Sequence, residues 1–110
     1  MFTGTLGFNL LLSAPPGATS EEDAVAVCRE LGLGPLLDRM PSGLRQVVGE
    51  TGWQLSHGER SRLFVARALL ADAPLVVLDE SLAALDPATA GQVLAAVRRR
   101  ARSLLVVAHP

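Results

Sequence analysis

At 110 residues the chain is sized for one compact domain, and 49% apolar residues supply ample material for a core. A formal charge of −1 gives no global pull toward nucleic acid, and a single cysteine, Cys28, excludes an internal disulfide framework. All ten basic residues are arginine, and no apolar run approaches the roughly 18–20 residues that cross a bilayer, so a cytoplasmic protein or domain is expected.

Met1–Leu12 is ambiguous, because Phe2, Leu6, Phe8 and Leu10–Leu12 fit neither the helical nor the strand period well. No basic residue precedes this apolar opening, which argues against a signal peptide. Ala14-Pro15-Pro16-Gly17-Ala18 reads as the one linker-like stretch. Ser20-Glu21-Glu22-Asp23 then has the cap and acidic first turn of a helix. Ala24, Val25, Val27, Cys28 and Leu31 suit its packed face, and Gly32 closes it. In that company Cys28 reads as a small buried core residue rather than a reactive thiol. Gly34-Pro35 opens a shorter helix through Met40, and Pro41-Ser42-Gly43 turns the chain.

Val48-Gly49-Glu50-Thr51-Gly52 is a glycine-punctuated loop leading through Trp53, a packing or interface residue, to Leu55-Ser56-His57-Gly58-Glu59. Ser56 and Glu59 have the spacing of a capping box, in which each side chain satisfies a backbone N–H of the other residue. The spacing predicts a helix from about Ser56 to Asp72, with Leu63, Ala66 and Leu70 on its apolar face and Phe64 beside them. Arg60, Arg62 and Arg67 are expected to reach solvent or acidic partners. A helix start carries unpaired N–H groups and partial positive charge, so Ser56 and the Gly58 backbone suit an anion as well as a plain cap. For lone His57, a solvent-facing position is favoured over a phosphate contact.

Asp72-Ala73-Pro74 stops that helix, and Leu75–Leu78 reads as a buried strand ending in Asp79 and Glu80. Asp86-Pro87 joins an N-cap residue to a proline at the first helical position, restarting a helix that carries Val93, Leu94 and Val97. Arg98-Arg99-Arg100 and Arg102 read as a solvated helix end that complements the dipole. Leu104–Ala108 is a second buried strand, followed by His109. Strand, crossover helix, strand is a βαβ unit, so the strands should run parallel and bring Asp79, Glu80 and His109 to one sheet edge. Adjacent residues at a strand end point differently, so one carboxylate can serve a magnesium ion while the other meets a reacting water. Phosphoryl transfer needs that division of labour; the bland alternative is two solvated acids opening a loop.

Taken in succession, these motifs resemble the ATP-binding cassette (ABC) ATPases. Leu55-Ser56-His57-Gly58-Glu59 is similar to the family's signature motif, Leu75 to Glu80 to its Walker B strand, Ala83-Ala84-Leu85-Asp86 to the D-loop and His109 to the switch histidine. Val48 to Gly52 resembles the loop before the signature in exporter-type cassettes, and Thr3-Gly4-Thr5-Leu6 through Asn9-Leu10 the segment after the Q-loop. The resemblance implies an α/β fold, a partial P-loop NTPase cassette. Residues 1–72 would form the helical subdomain and signature helix, and residues 73–110 the Walker B to switch-histidine part of a parallel strand–helix–strand core.

The resemblance also implies roles. Glu80 would orient or deprotonate water, His109 hold the γ-phosphate and Asp79 serve magnesium. Leu55, Ser56, His57, Gly58 and Glu59 would grip ATP held by a second cassette, the same or a different chain, with Asp86 in the D-loop. Transmembrane domains would complete an exporter at the cytoplasmic face of the membrane, with no nucleic acid involved. His57 departs from the small residue usual there, and Ala83 from the usual serine, which removes a hydroxyl contact across the cassette dimer. No G-x-x-x-x-G-K-[ST] phosphate loop is possible without lysine. That loop, the adenine-stacking aromatic and the Q-loop glutamine would lie before Met1, so the chain reads as the second half of a cassette. Two rivals stand beside the transporter. One is a non-catalytic module supplying only the signature face. The other is a DNA-repair or chromosome ATPase, disfavoured by Val48–Gly52 and by the absence of coiled-coil heptads.

Overall fold

The computed structural model describes residues 4–11, 21–48, 53–71, 76–79, 85–101 and 103–107. The chain order is β1 (Gly4–Thr5), α1 (Leu6–Leu11), α2 (Glu21–Glu30), α3 (Gly34–Arg39), a 3-10 turn over Gly43–Arg45 and β2 (Val47–Val48). It continues through α4 (His57–Leu70), β3 (Val76–Asp79), α5 (Pro87–Arg100) and β4 (Leu104–Val107).

The ambiguous opening resolves into two short elements. Gly4–Thr5 pairs antiparallel with Val47–Val48, and the helix that follows buries Leu6 and Leu10. A two-residue strand is too short to show an alternating pattern, which is why the sequence fits neither period. Asn9, buried in α1, donates from Nδ2 to the Thr5 carbonyl at 3.1 Å, so its burial leaves no amide donor stranded there.

One core joins α1 to α5. Leu6, Leu10, Ala24, Val27, Cys28, Leu31, Leu33, Leu36, Val48, Leu63, Val65, Ala66, Leu70, Val93, Ala96 and Val97 pack together, with Trp53 and Leu55 half-buried against it. α4 lies against α1 and α2 and touches β3 and α5. Cys28 is fully buried, and loss of hydration pushes its thiol up to about 12, so it is a neutral packing group at physiological pH.

α2 ends as expected: Gly32 adopts φ +78°, a left-handed conformation that favours glycine, and a Cβ there would come within 2.9 Å of Gln92 Oε1. α3 opens with Pro35 in its first turn and closes at Met40. β3 and β4 pair in parallel, with Val76 opposite Leu104 and Asp79 opposite Val107, and α5 is their crossover helix. Among the described residues this sheet has two strands.

Three expectations need correction. Phe64 does not join the apolar face of α4; it is exposed, with the Arg67 guanidinium 4.8 Å from its ring centroid, and Val65 is buried instead. Arg62 is half-buried and bonds to backbone carbonyls rather than to an acid. Its Nε donates to the Gly58 carbonyl at 3.2 Å, and its Nη1 to Leu31 and Gly32 carbonyls at 3.3 and 2.9 Å. It thereby satisfies the carbonyls left open where α2 ends. The arginine run is not simply solvated either. Arg99 Nη2 donates to Glu30 Oε1 at 2.8 Å and Arg100 Nε to Glu30 Oε2 at 2.6 Å, fastening the C-terminal end of α5 to that of α2. These two guanidinium bonds, Arg100 foremost, hold the Glu30 carboxyl below its ordinary range.

Candidate functional site

The candidate site begins at the first turn of α4. Ser56 is its N-cap, with extended backbone (φ −66°, ψ 163°), and the capping box forms in full. The Glu59 N–H donates to Ser56 Oγ at 3.1 Å, and the Ser56 N–H donates to Glu59 Oε1 at 2.8 Å. Arg60 N–H donates to the Ser56 carbonyl at 2.9 Å, starting the regular helix. The His57 and Gly58 N–H groups are left without an intrahelical acceptor, as helix geometry requires of the first turn. Ser56 and His57 are exposed, Gly58 and Glu59 partly so, and Leu55 is half-buried against the core.

A carboxylate so close to an anion-receptive helix start would weaken its positive potential. Arg39, at the end of α3, donates to Glu59 Oε2, so the acid is paired. Burial of Glu59 raises its pKa, but the Ser56 N–H and the Arg39 guanidinium outweigh that and hold the carboxyl below its usual range. Neither Arg39 nor the anchoring Arg62 was singled out as a site residue in the sequence. Arg39 lies 20 positions from its partner, with no local spacing to reveal it. Arg62 stands four residues after Gly58, a helical spacing that could have revealed its bond to that residue's carbonyl.

The donors at this helix start suit a phosphate. Ser56 Oγ uses a lone pair to accept from Glu59, which leaves its proton free to donate beside the His57 and Gly58 N–H groups.

Asp86 is the N-cap of α5, followed by Pro87 in the first turn. Thr89 donates to it twice, from its N–H to Oδ2 at 3.2 Å and from Oγ1 to Oδ1 at 2.6 Å. The Thr89 side-chain bond, then its backbone bond, holds the Asp86 carboxyl below its usual range. The backbone of Asp79 ends β3 beside Val107 of β4, so the two parallel strands leave by one edge. Glu80 follows Asp79 directly and His109 comes two residues after Val107; both lie outside the described residues, as do Gly49–Gly52, Ala83 and Ala84. Among the described residues no three His, Cys, Asp or Glu side chains cluster as metal ligands would.

A model of the ABC transporter family matches residues 10–83. The ATP-dependent lipid A-core flippase of Dechloromonas aromatica is 40% identical over 111 residues, covering 99% of this chain and 19% of that protein. The glutathione/L-cysteine transport system ATP-binding/permease protein CydC of Escherichia coli is 45% identical with the same coverage of each chain. The mycobactin import ATP-binding/permease protein IrtB of Mycolicibacterium thermoresistibile is 42% identical, again over 99% and 19%. In three dimensions the chain resembles a bacterial Atm1-family ABC exporter with ATP bound, at a TM-score of 0.80 and 28% identity, covering 99% of this chain and 19% of that one. The chain thus spans about a fifth of the length of the relatives it matches. With a family model over residues 10–83, a fold that is part of an ABC cassette, and a signature-like helix start built as described, the chain belongs to the ABC transporter family.

Proposed function

We propose that the chain is part of the ATP-binding and ATP-hydrolysing domain of an ABC exporter, working at the cytoplasmic face of a membrane. Residues 1–72 form its helical, signature-bearing part and residues 73–110 its Walker B to switch-histidine part. The observation that carries this reading is the reciprocally capped start of α4, which presents the Ser56 hydroxyl and two helix N–H groups to an anion. In this reading a second cassette supplies the rest of the site, and transmembrane domains in the same or another chain use the work.

Ser56 and Gly58 bind the terminal phosphate of ATP held by the facing cassette, and Leu55, His57 and Glu59 complete that contact. Glu80 orients the attacking water and accepts its proton, His109 holds the γ-phosphate in line, and Asp86 sits in the D-loop between the two sites. Asp79 is the magnesium carboxylate. Magnesium, when bound, neutralises phosphate charge, which together with positioning supplies most of the catalysis in phosphoryl transfer. The isolated chain, with no lysine and no phosphate loop, neither binds ATP tightly nor hydrolyses it.

The test is made in the complete transporter. Glu80→Gln keeps size and hydrogen bonding but cannot take a proton, so kcat falls by orders of magnitude while ATP still binds and holds two cassettes together. Ser56→Arg displaces the helix start from the phosphate, so ATP no longer brings the cassettes together. Chemical cross-linking of the cassettes in magnesium-ATP separates the two variants. Parental hydrolysis by Glu80→Gln would overturn the assignment of the carboxylate.

A further inference from the structure

We propose that Arg39 is a positioning residue for phosphate binding at the start of α4, acting by neutralising Glu59. The inference rests on the functional reading just given. Glu59 occupies the third position of α4, where its carboxylate closes the cap by accepting the Ser56 N–H through Oε1. The same group brings a full negative charge to the turn that is to receive a terminal phosphate, itself multiply charged. Its second oxygen, Oε2, faces Arg39, which comes from the last turn of a different helix, α3.

The exposures say which partner matters. The Glu59 side chain is only 13% exposed, so water screens its charge poorly, whereas Arg39 is 58% exposed and reaches in from the surface. The arrangement separates two demands. The cap needs an acceptor at Glu59, and the phosphate needs that acceptor to carry no net field. Arg39 reconciles them without entering the anion's place.

A charge left uncompensated within one helical turn of an anion, at the effective dielectric of a protein surface, changes the anion's affinity about three- to tenfold. In the complete transporter, Arg39→Gln is therefore expected to raise the KM for magnesium-ATP by about that factor, with kcat nearly unchanged. The increase should shrink as salt is raised, because screening substitutes for the lost guanidinium. Glutamine also serves in a capping box, so Glu59→Gln removes the charge and keeps the cap. Adding Arg39→Gln to Glu59→Gln should then bring KM back toward the parental value, because the two charges removed have opposite signs.

A purely structural role for Arg39 predicts instead a penalty that ignores salt. Either that result, or an Arg39→Gln variant whose KM matches the parent at low salt, overturns the proposal while leaving ATP hydrolysis by the transporter intact. A parent protein that hydrolyses no ATP overturns this inference and the functional reading together.

Discussion

α4 and α5 begin with the same device and use it differently. Each is 14 residues long, each has an oxygen-bearing N-cap, and each cap accepts from the backbone N–H three residues on. At α5 the arrangement is self-contained: Asp86 and Thr89 satisfy one another, and Asp86 stands in full solvent. At α4 the cap is the inner ring of a wider one. Arg39 ties Glu59 to α3, while Arg62 ties Gly58 to the end of α2 at Leu31 and Gly32. A local motif fixes where a helix starts; only tertiary partners fix where that start sits relative to the rest of the molecule. Both caps carry residues proposed to serve the nucleotide, so the signature end should be rigidly placed and the Asp86 end free to adjust.

The strongest way to break this contrast is to hollow out the packing beneath each helix. Leu63 in α4 is fully buried and Leu94 in α5 only partly so. Leu63→Ala should cost about 2–5 kcal/mol and Leu94→Ala clearly less, read from urea unfolding midpoints. Equal losses would mean that α4 is no more central than α5.

A finer test removes the caps. Ser56→Ala should cost about 1 kcal/mol, with faster amide hydrogen exchange spreading from α4 into the end of α3 through the Arg39–Glu59 link. Asp86→Ala should speed exchange in the first turn of α5 alone. If both changes stay confined to their own first turns, the wider ring at α4 has no energetic meaning.

Acid gives the smallest effect. Glu59 and Asp86 both titrate below their ordinary values of 4.5 and 3.8 in the folded chain. A depressed carboxyl contributes stability that is complete above its unfolded pKa and is lost as pH falls through the lower folded value. Stability should therefore decline as the pH drops below 4.5, with Glu30, gripped by Arg100 and Arg99, adding to the decline. Glu59→Gln should make the decline shallower, and a thermal-melt series from pH 7 to pH 3 measures it.

The legible features were those whose cause is local. Ser56 and Glu59 stand three apart, so one helical turn suffices to bring them together, and Asp86 stands directly before Pro87, which marks a helix start. The parallel pairing of β3 and β4 was legible because a crossover helix of this length leaves few alternatives. The illegible features join distant segments: Arg39 to Glu59, Arg62 to Leu31 and Gly32, and Glu30 to Arg99 and Arg100, up to 70 positions apart. A guanidinium has long reach and many donors, so nothing in its own neighbourhood announces its partner. Phe64 was misread for a related reason. It sits next to the buried Val65, and one step along a helix turns a side chain by about 100°, enough to move from core to surface. Of the proposed site, Ser56 and Asp86 are both N-caps, as the residues around each implied.

Cys28 gives the chain a built-in clock. Its thiol lies in the sealed interior of α2, with its ionisation pushed far above neutrality, so a maleimide or disulfide reagent meets neither an accessible sulfur nor a thiolate. Modification must wait for α2 to open, and the rate at which one label appears counts those openings. Because the sequence holds no second cysteine, every label reports the same event. The same silence lets a cysteine placed on the surface, at Phe8 or Val47 for example, be tagged cleanly while the native one stays hidden.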